Sequence, residues 1–299
     1  MYVVLGASGH TGHVVATNLL TRGQKVRVVG RNAANLQPLA AKGAETFIAD
    51  VTDAGTLTQA FHQADSAYVM IPPNPASTDP LGYSNRVSDA IAAAVQNAGT
   101  RNIVTLSSIG ADKASGTGPV VGLHNLEQKL NQINGANVLH LRPGYFMENT
   151  LPQAGAIRQM GNVVTPLRPD LKLPMIATRD IGAAATDALL NPSVRGNQTR
   201  ELLGERDLTY TEVAAIIGQA IGKPGVKYFQ LPDDQFLGVL VQMGMSEQFA
   251  RLLLEMIGAL NSGYMRALEP RASQNTTPTS YETFVADSFL PAYRQQAAA

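Results

Sequence analysis

One segment constrains the fold of this chain more than any other. A short apolar run at residues 2–5 ends directly in Gly6-Ala7-Ser8-Gly9-His10-Thr11-Gly12, and apolar residues then recur at helical spacing at Val14, Val15, Leu19 and Leu20 before Gly23. A strand, a glycine loop and a helix in immediate succession form the start of a βαβ unit. Glycines permit a tight turn and let backbone amides come close to a phosphate. The N–H groups that open the helix have no intrahelical acceptor and carry a partial positive charge. The spacing is GxxGxxG, whereas the standard dinucleotide fingerprint is GxGxxG. Three glycines in seven residues also occur in ordinary turns. The strand–loop–helix context favours a dinucleotide pyrophosphate, held by Gly6, Ser8, Gly9, His10, Thr11 and Gly12.

The alternation continues through the first half. Strands are expected at 26–29, 46–49, 67–71, 103–106 and 138–141, with helices at 36–41, 87–95 and 122–133 between them. Such alternation implies right-handed βαβ units and a doubly wound parallel sheet of Rossmann type, with helices on both faces. After about residue 150 the rhythm breaks. Thr209-x-x-Glu212 is a capping box opening an apolar helix, 227–231 suits a strand, and 236–260 is rich in Leu, Met and Phe at helical spacing. Residues 269–280 contain Pro270 and Pro278 and suit a loop, and Thr279-x-x-Glu282 is a second capping box before a short last helix. The expectation is a cofactor-binding domain at 1–150 and a smaller, mostly helical substrate or partner lobe at 151–299, with 180–204 packing back on the first domain. No low-complexity tract is present beyond 295–299.

Composition narrows the functional classes. The chain has 299 residues, 44% apolar and 15% charged, which suits a folded core. Lys and Arg number 23, as do Asp and Glu, and each half is close to neutral, which argues against a nucleic-acid partner held by charge. Cysteine is absent, so disulfides, thiolate nucleophiles and Cys-based metal sites are excluded. No run approaches the roughly 18 apolar residues of a membrane span. The first basic residue is Arg22, so the N-terminus reads as a strand and not a signal peptide, and a cytoplasmic protein is expected. Asn197-Gln198-Thr199 and Asn275-Thr276-Thr277 read as chance glycosylation triplets. His10 and His13 have HxxH spacing but no obvious third ligand, so no metal is expected.

The end of the second strand bears on cofactor choice. An NAD site places Asp or Glu about 20 residues beyond the glycines. Here Gly30-Arg31 stands at that strand end, with no carboxylate beside it. A guanidinium grips a 2′-phosphate bidentately and stacks on adenine, which favours NADP(H). The alternative is a solvent-facing Arg.

With these residues the chain resembles the NmrA-like group of atypical short-chain dehydrogenases/reductases, over most of its length. The resemblance is carried by 6–12, Gly30-Arg31-Asn32, Ala49-Asp50-Val51, Ser107-Ser108-Ile109-Gly110, His124-x-x-Glu127-x-x-Leu130, Leu141-Arg142-Pro143-Gly144-Tyr145-Phe146-Met147-Glu148-Asn149 and Arg179-Asp180-Ile181-Gly182. That group includes bacterial quinone and dye reductases and NADP-sensing regulators. The resemblance implies that Asp50 and Val51 lie by the adenine, that Ile71, Pro72 and Pro73 run along the cofactor, and that Tyr145, Phe146, Met147 and Asn149 sit by the nicotinamide.

The departure concerns catalysis. Mainstream members carry a Tyr-x-x-x-Lys pair as proton donor and partner, and this chain has none. The corresponding helix has an apolar stripe of Leu123, Leu126, Leu130 and Ile133. His124 and Lys129 are not spaced to share a face, so they do not simply replace the pair. His124 is either a proton donor at the cofactor end or a solvated surface residue. Lys129 either acts or snorkels along the stripe. Tyr145 either stacks or donates a proton near the nicotinamide, or is an amphipathic core residue. Ser107 and Ser108 either contact cofactor or substrate or simply end a strand. Asp180 is expected to cap a helix beginning at Ile181. Met243, Met245, Phe249, Met256 and Met265 line either an adaptable apolar pocket or plain core. Two loops, 72–82 and 111–119, are lid candidates.

Two functions fit these residues. The first is an NADPH-dependent reductase passing hydride to a small apolar conjugated acceptor, a quinone, dye or enone, whose delocalised product anion needs little acid help. The second is a non-catalytic NADP(H) sensor that binds a protein partner. Isomerase or epimerase chemistry on a nucleotide sugar is a weaker third, since those enzymes retain the missing pair. The chain is expected to be a monomer or homodimer.

Overall fold

A computed structural model of the chain describes residues 1–295. Residues 296–299 of the expected C-terminal tract lie outside the described residues. The first half runs β1 (Tyr2–Leu5), α1 (His10–Thr21), β2 (Val26–Gly30), α2 (Ala33–Ala40), β3 (Glu45–Ile48), α3 (Ala54–Phe61), β4 (Ser66–Val69), α4 (Pro80–Ala98), β5 (Asn102–Leu106), α5 (Val120–Asn131) and β6 (Asn137–Pro143). The remainder runs β7 (Tyr145–Phe146), a 3-10 turn (Met147–Thr150), α6 (Gln153–Met160), β8 (Val163–Thr165), β9 (Leu173–Ile176), α7 (Thr178–Leu190), β10 (Asn197–Leu202), β11 (Asp207–Leu208), α8 (Tyr210–Ala220), β12 (Tyr228–Gln230), α9 (Asp233–Gln242), α10 (Glu247–Asn261), α11 (Tyr281–Phe284), a π-helical turn (Val285–Phe289) and α12 (Leu290–Gln295).

Seven strands form one sheet in the order β10-β6-β5-β4-β1-β2-β3, with every neighbouring pair parallel. Parallel strands need helical crossovers, and these bury both faces. Alternate side chains of each strand therefore enter different cores. Val3, Leu5, Val29, Ala67 and Val69 pack under α3, α4 and α5. Val4, Val28, Tyr68 and Val104 pack on the other face with apolar residues of α1, α2 and α7. Each fully buried aliphatic side chain contributes about 1.5–3 kcal/mol of transfer free energy. A third core joins Met147, Leu173, Met175, Val213, Ile217, Leu260 and Phe289 with Ile109 and Val120. The chain steps outward from β1 to β3 and returns to the other side of β1 with β4. That reversal opens a crevice at the carboxyl ends of β1 and β4, where such sheets bind ligands.

Several elements differ from the sequence expectation. The first helix begins at His10 instead of Val14, so the last glycine of the loop is helical. Helix α3 was not foreseen; Asp53 caps it by accepting from Gly55 N and Thr56 N. Helix α4 begins at Pro80, which shortens the first candidate lid to residues before that proline. The apolar stretch at 236–260 is two helices, α9 and α10, separated around Gly244, whose φ is +90°. Asp180 does not cap α7. That helix starts at Thr178, three residues before Ile181, and the Asp180 carboxylate accepts from Thr279 N and Oγ1 at 3.0 and 2.7 Å. Thr279 is thereby occupied, and Ser280 caps α11 in its place. The Thr209–Glu212 capping box forms as read. No helix among the described residues is long and apolar enough to cross a membrane.

Candidate active site

The glycine loop crosses the crevice. Gly6 has φ of +65°, a left-handed conformation that side-chain-bearing residues rarely adopt. A Cβ at Gly12 would lie 2.4 Å from the Gly6 carbonyl oxygen, so only glycine lets α1 start this close to β1. Gly9 is the N-cap of α1, with no side-chain cap, and the first turn carries no acidic residue. The N–H groups of His10, Thr11 and Gly12 therefore point outward without an intrahelical acceptor. The Thr11 side chain turns inward, where its Oγ1 accepts from the buried Tyr68 hydroxyl at 2.9 Å. Ser8, Gly9 and His10 are exposed along the rim. A cleft of about 450 Å³ runs from them to the N-terminus of α7. This uncapped, glycine-walled turn fits the pyrophosphate of a dinucleotide.

Arg31 follows β2 directly, is exposed, and has no ion-pair partner among the described residues. The fold brings a carboxylate toward it that strand-end reading did not anticipate. Asp50 is held below the usual carboxylate range mainly by accepting from Thr52 N at 2.9 Å and Thr52 Oγ1 at 2.8 Å, with a smaller contribution from Arg31. Val51 is buried, while Ile71 and Pro72 are half-buried and Pro73 exposed after β4. Sequence reading missed Tyr83 on α4. Its hydroxyl is buried without a hydrogen-bond partner, and burial pushes it up from its ordinary pKa.

The end of β5 holds a buried polar network. Ser107 Oγ donates to Glu127 Oε1 at 2.5 Å. Arg142 of β6 donates to the same carboxylate through Nε at 3.0 Å and Nη2 at 2.5 Å. The Glu127 side chain is 2% exposed, so a full buried charge is balanced by a two-pronged guanidinium. The Ser107 proton is thus committed to Glu127, and Ser108, half-buried, is the freer of the two serines. Glu127 lies one helical turn after His124, and the network holds α5 against the sheet. The sequence reading used Glu127 only as part of a resemblance string.

His124 is half-buried, with Nδ1 2.9 Å from the Ala111 carbonyl oxygen. A carbonyl only accepts, so Nδ1 carries the proton and Nε2 is left for another partner. Lys129 is directed elsewhere. Its ammonium lies 2.6 Å from Asp89 Oδ1 and donates to Asn85 O at 3.2 Å, both on α4. The structure therefore does not bring Lys129 together with His124.

Tyr145 opens the segment after β6. Its hydroxyl lies 3.0 Å from that of Tyr210, and the rings meet edge to face with centroids 6.1 Å apart. Burial pushes its pKa up, while hydrogen bonds with Tyr210 and Asn149 pull it partly back. Phe146 is half-buried and Asn149 exposed, but the Met147 side chain enters the third core and is 1% exposed. Glu148 fastens this segment by accepting from Thr178 N at 3.0 and 3.1 Å and from Thr178 Oγ1 at 2.6 Å. Its carboxylate thereby caps α7, the role sequence reading gave to Asp180. Among the described residues, no group of three or more His, Cys, Asp or Glu is arranged to hold a metal ion.

The second apolar region is a slot of about 140 Å³ at the mouth of the crevice, between the loop after β4, the N-terminal turns of α4 and α5, and α10. Of the Met and Phe residues considered from sequence, only Phe249 lines it. Met265 is buried against Gly110, and Met243 is 62% exposed.

These features together define a dinucleotide-type α/β fold with an apolar slot after β4, the strand next to the one that carries the glycine loop. The sequence matches the NmrA-like family over residues 2–285, and the chain belongs to that family. The NAD(P)H azoreductase of Xenophilus azovorans is 29% identical over 265 residues, spanning 89% of each chain. Quinone oxidoreductase 2 of Escherichia coli (strain K12) is 28% identical over 269 residues, spanning 88% of this chain and 89% of that one. The crystal structure of the NADPH-dependent quinone oxidoreductase of Escherichia coli complexed with NADPH superposes with a TM-score of 0.80 at 25% identity. That match covers 97% of this chain and all of the other.

Proposed function

We propose that the chain is an NADPH-dependent reductase that passes a hydride to an apolar conjugated acceptor: a quinone, a dye or an enone. The observation that carries this reading is the uncapped N-terminus of α1, walled by Gly6 and Gly12 at the strand switch point, with an uncharged slot opening after the neighbouring strand β4. NADPH, when bound, supplies the hydride. Reduction of a quinone then consumes that hydride and one proton from the protein or solvent. The loop amides of His10, Thr11 and Gly12 hold the pyrophosphate. Arg31 holds the 2′-phosphate by a charge-assisted contact. Ile71 and Pro72 exclude water along the cofactor, while Tyr145 and Phe146 flank the nicotinamide end. His124, fixed through Nδ1 on Ala111 and lying outside the slot lining, is the proton donor through Nε2. Lys129 acts as a clamp between α5 and α4, through Asp89 and Asn85.

The test is NADPH consumption by purified protein, followed by absorbance, against quinones, triphenylmethane and azo dyes and enones, with NADH in parallel. Turnover that prefers NADPH is expected. His124→Ala is expected to lower kcat about a hundredfold, with the NADPH dissociation constant little changed. Dinucleotide binding by calorimetry with no turnover across the panel would overturn the reading and favour a redox sensor.

A further inference from the structure

The slot has properties that select among acceptors. Ile71 and Pro72 line it from the loop after β4, Leu81 from α4, Leu123 from α5, and Phe249 and Leu252 from α10. No Asp, Glu, Lys, Arg or His is among the residues that line it. Its volume is about 140 Å³. An apolar protein cavity of about 150 Å³ holds a single benzene ring.

The roof is tied in place from both ends. Ser246 caps α10 by accepting from Phe249 N at 3.1 Å. The same residue donates from N to Pro75 O at 2.9 Å and from Oγ to Ser77 O at 2.5 Å, which latches the loop after β4 to the helix. Beyond the other end of α10, the Tyr264 hydroxyl donates to Ser115 O at 3.3 Å, reaching the loop before α5. Both candidate lid loops are thus fastened to one helix. A tethered slot discriminates by size because it cannot widen without breaking these bonds.

Resting on the reductase reading, we propose that this slot binds one uncharged six-membered quinoid or aryl ring of the acceptor. A fused second ring exceeds the roughly 140 Å³ between the slot walls and extends out of its solvent-open side, where it gains no burial. An anionic substituent on the inserted ring is rejected because the slot offers no cation to balance it.

The experiment has a kinetic arm and a binding arm. In the first, kcat/KM is compared for dimethylbenzoquinone, phenanthrenequinone and a benzoquinone sulfonate. Dimethylbenzoquinone is expected to exceed the sulfonate by about a hundredfold or more, since burying an unpaired anion costs several kcal/mol. It is expected to exceed phenanthrenequinone as well, and Leu252→Ala is expected to narrow that second gap about tenfold. In the second arm, dimethylhydroquinone is titrated by calorimetry into the protein loaded with NADP⁺. Binding is expected for the wild type and not for Leu252→Arg, with the NADPH dissociation constant of both proteins alike as the check on folding. Equal kcat/KM for the three acceptors, or hydroquinone binding that is unchanged in Leu252→Arg, would overturn the proposal. Hydroquinone binding that is lost in Leu252→Arg, without NADPH turnover on any acceptor, would support the ring slot and sink the reductase reading alone.

Discussion

His140 makes the fold sensitive to mild acid. It lies in β6, 1% exposed, with Nε2 2.9 Å from Asn131 Oδ1 and Nδ1 2.8 Å from Thr105 Oγ1. The amide oxygen only accepts, so Nε2 carries the proton, and Nδ1 accepts from the threonine hydroxyl. The folded site is built for the neutral ring. Burial lowers its pKa from 6.5 to about 4, with Glu127 opposing and Arg142 reinforcing the shift. A depressed value contributes stability that is fully present above the unfolded pKa and is lost as pH falls toward the folded one. Linkage between values of 6.5 and about 4 gives a loss of about 2 kcal/mol between pH 7 and pH 5, and about 3 kcal/mol at the limit. The assay is urea unfolding by circular dichroism at both pH values for wild type and His140→Gln. Groups common to both proteins cancel in the difference. The variant is expected to be less stable at pH 7 but to lose about 2 kcal/mol less than wild type on acidification. Parallel pH dependences would refute the neutral, buried assignment.

Two other substitutions address the cofactor site. Arg31→Glu is expected to weaken NADPH binding about ten- to a hundredfold while sparing NADH, by loss of a charge-assisted contact and added repulsion; fluorescence titration with both dinucleotides checks it, and equal losses for the two would remove Arg31 as the phosphate reader. Gly12→Ala places a Cβ 2.4 Å from the Gly6 carbonyl oxygen, where only backbone movement relieves the clash. The variant is expected to lose dinucleotide binding and melt at a lower temperature, and normal calorimetric binding would show that α1 can shift at no cost.

Elements defined by near neighbours were legible in the sequence. The run before Gly6 became β1, the glycine spacing became an open helix N-terminus, and Thr209 with Glu212 formed their capping box. Errors arose where two local signals competed. Thr279 and Ser280 are both able to cap, and the choice fell to Ser280 because Asp180, 99 residues away, occupies Thr279. Helix α3 escaped notice because its eight residues show only a short apolar pattern, buried at Leu57, Ala60 and Phe61.

By itself, the sequence determined the alternation of strands and helices, the parallel sheet that follows from it, and the anion-binding turn. Each depends on residues within a few positions of one another, and the backbone carries that information directly. The tertiary structure decided which charges meet. Glu127 finds Arg142 on β6 and Ser107 just after β5, and Glu148 reaches the first amide of α7. It also decided the slot, whose lining comes from stretches of chain spread between Ile71 and Leu252 and whose roof helix is latched through Ser246 to the loop after β4. Such pairings depend on how elements dock, which is settled by burial across the whole molecule and leaves no trace in local spacing.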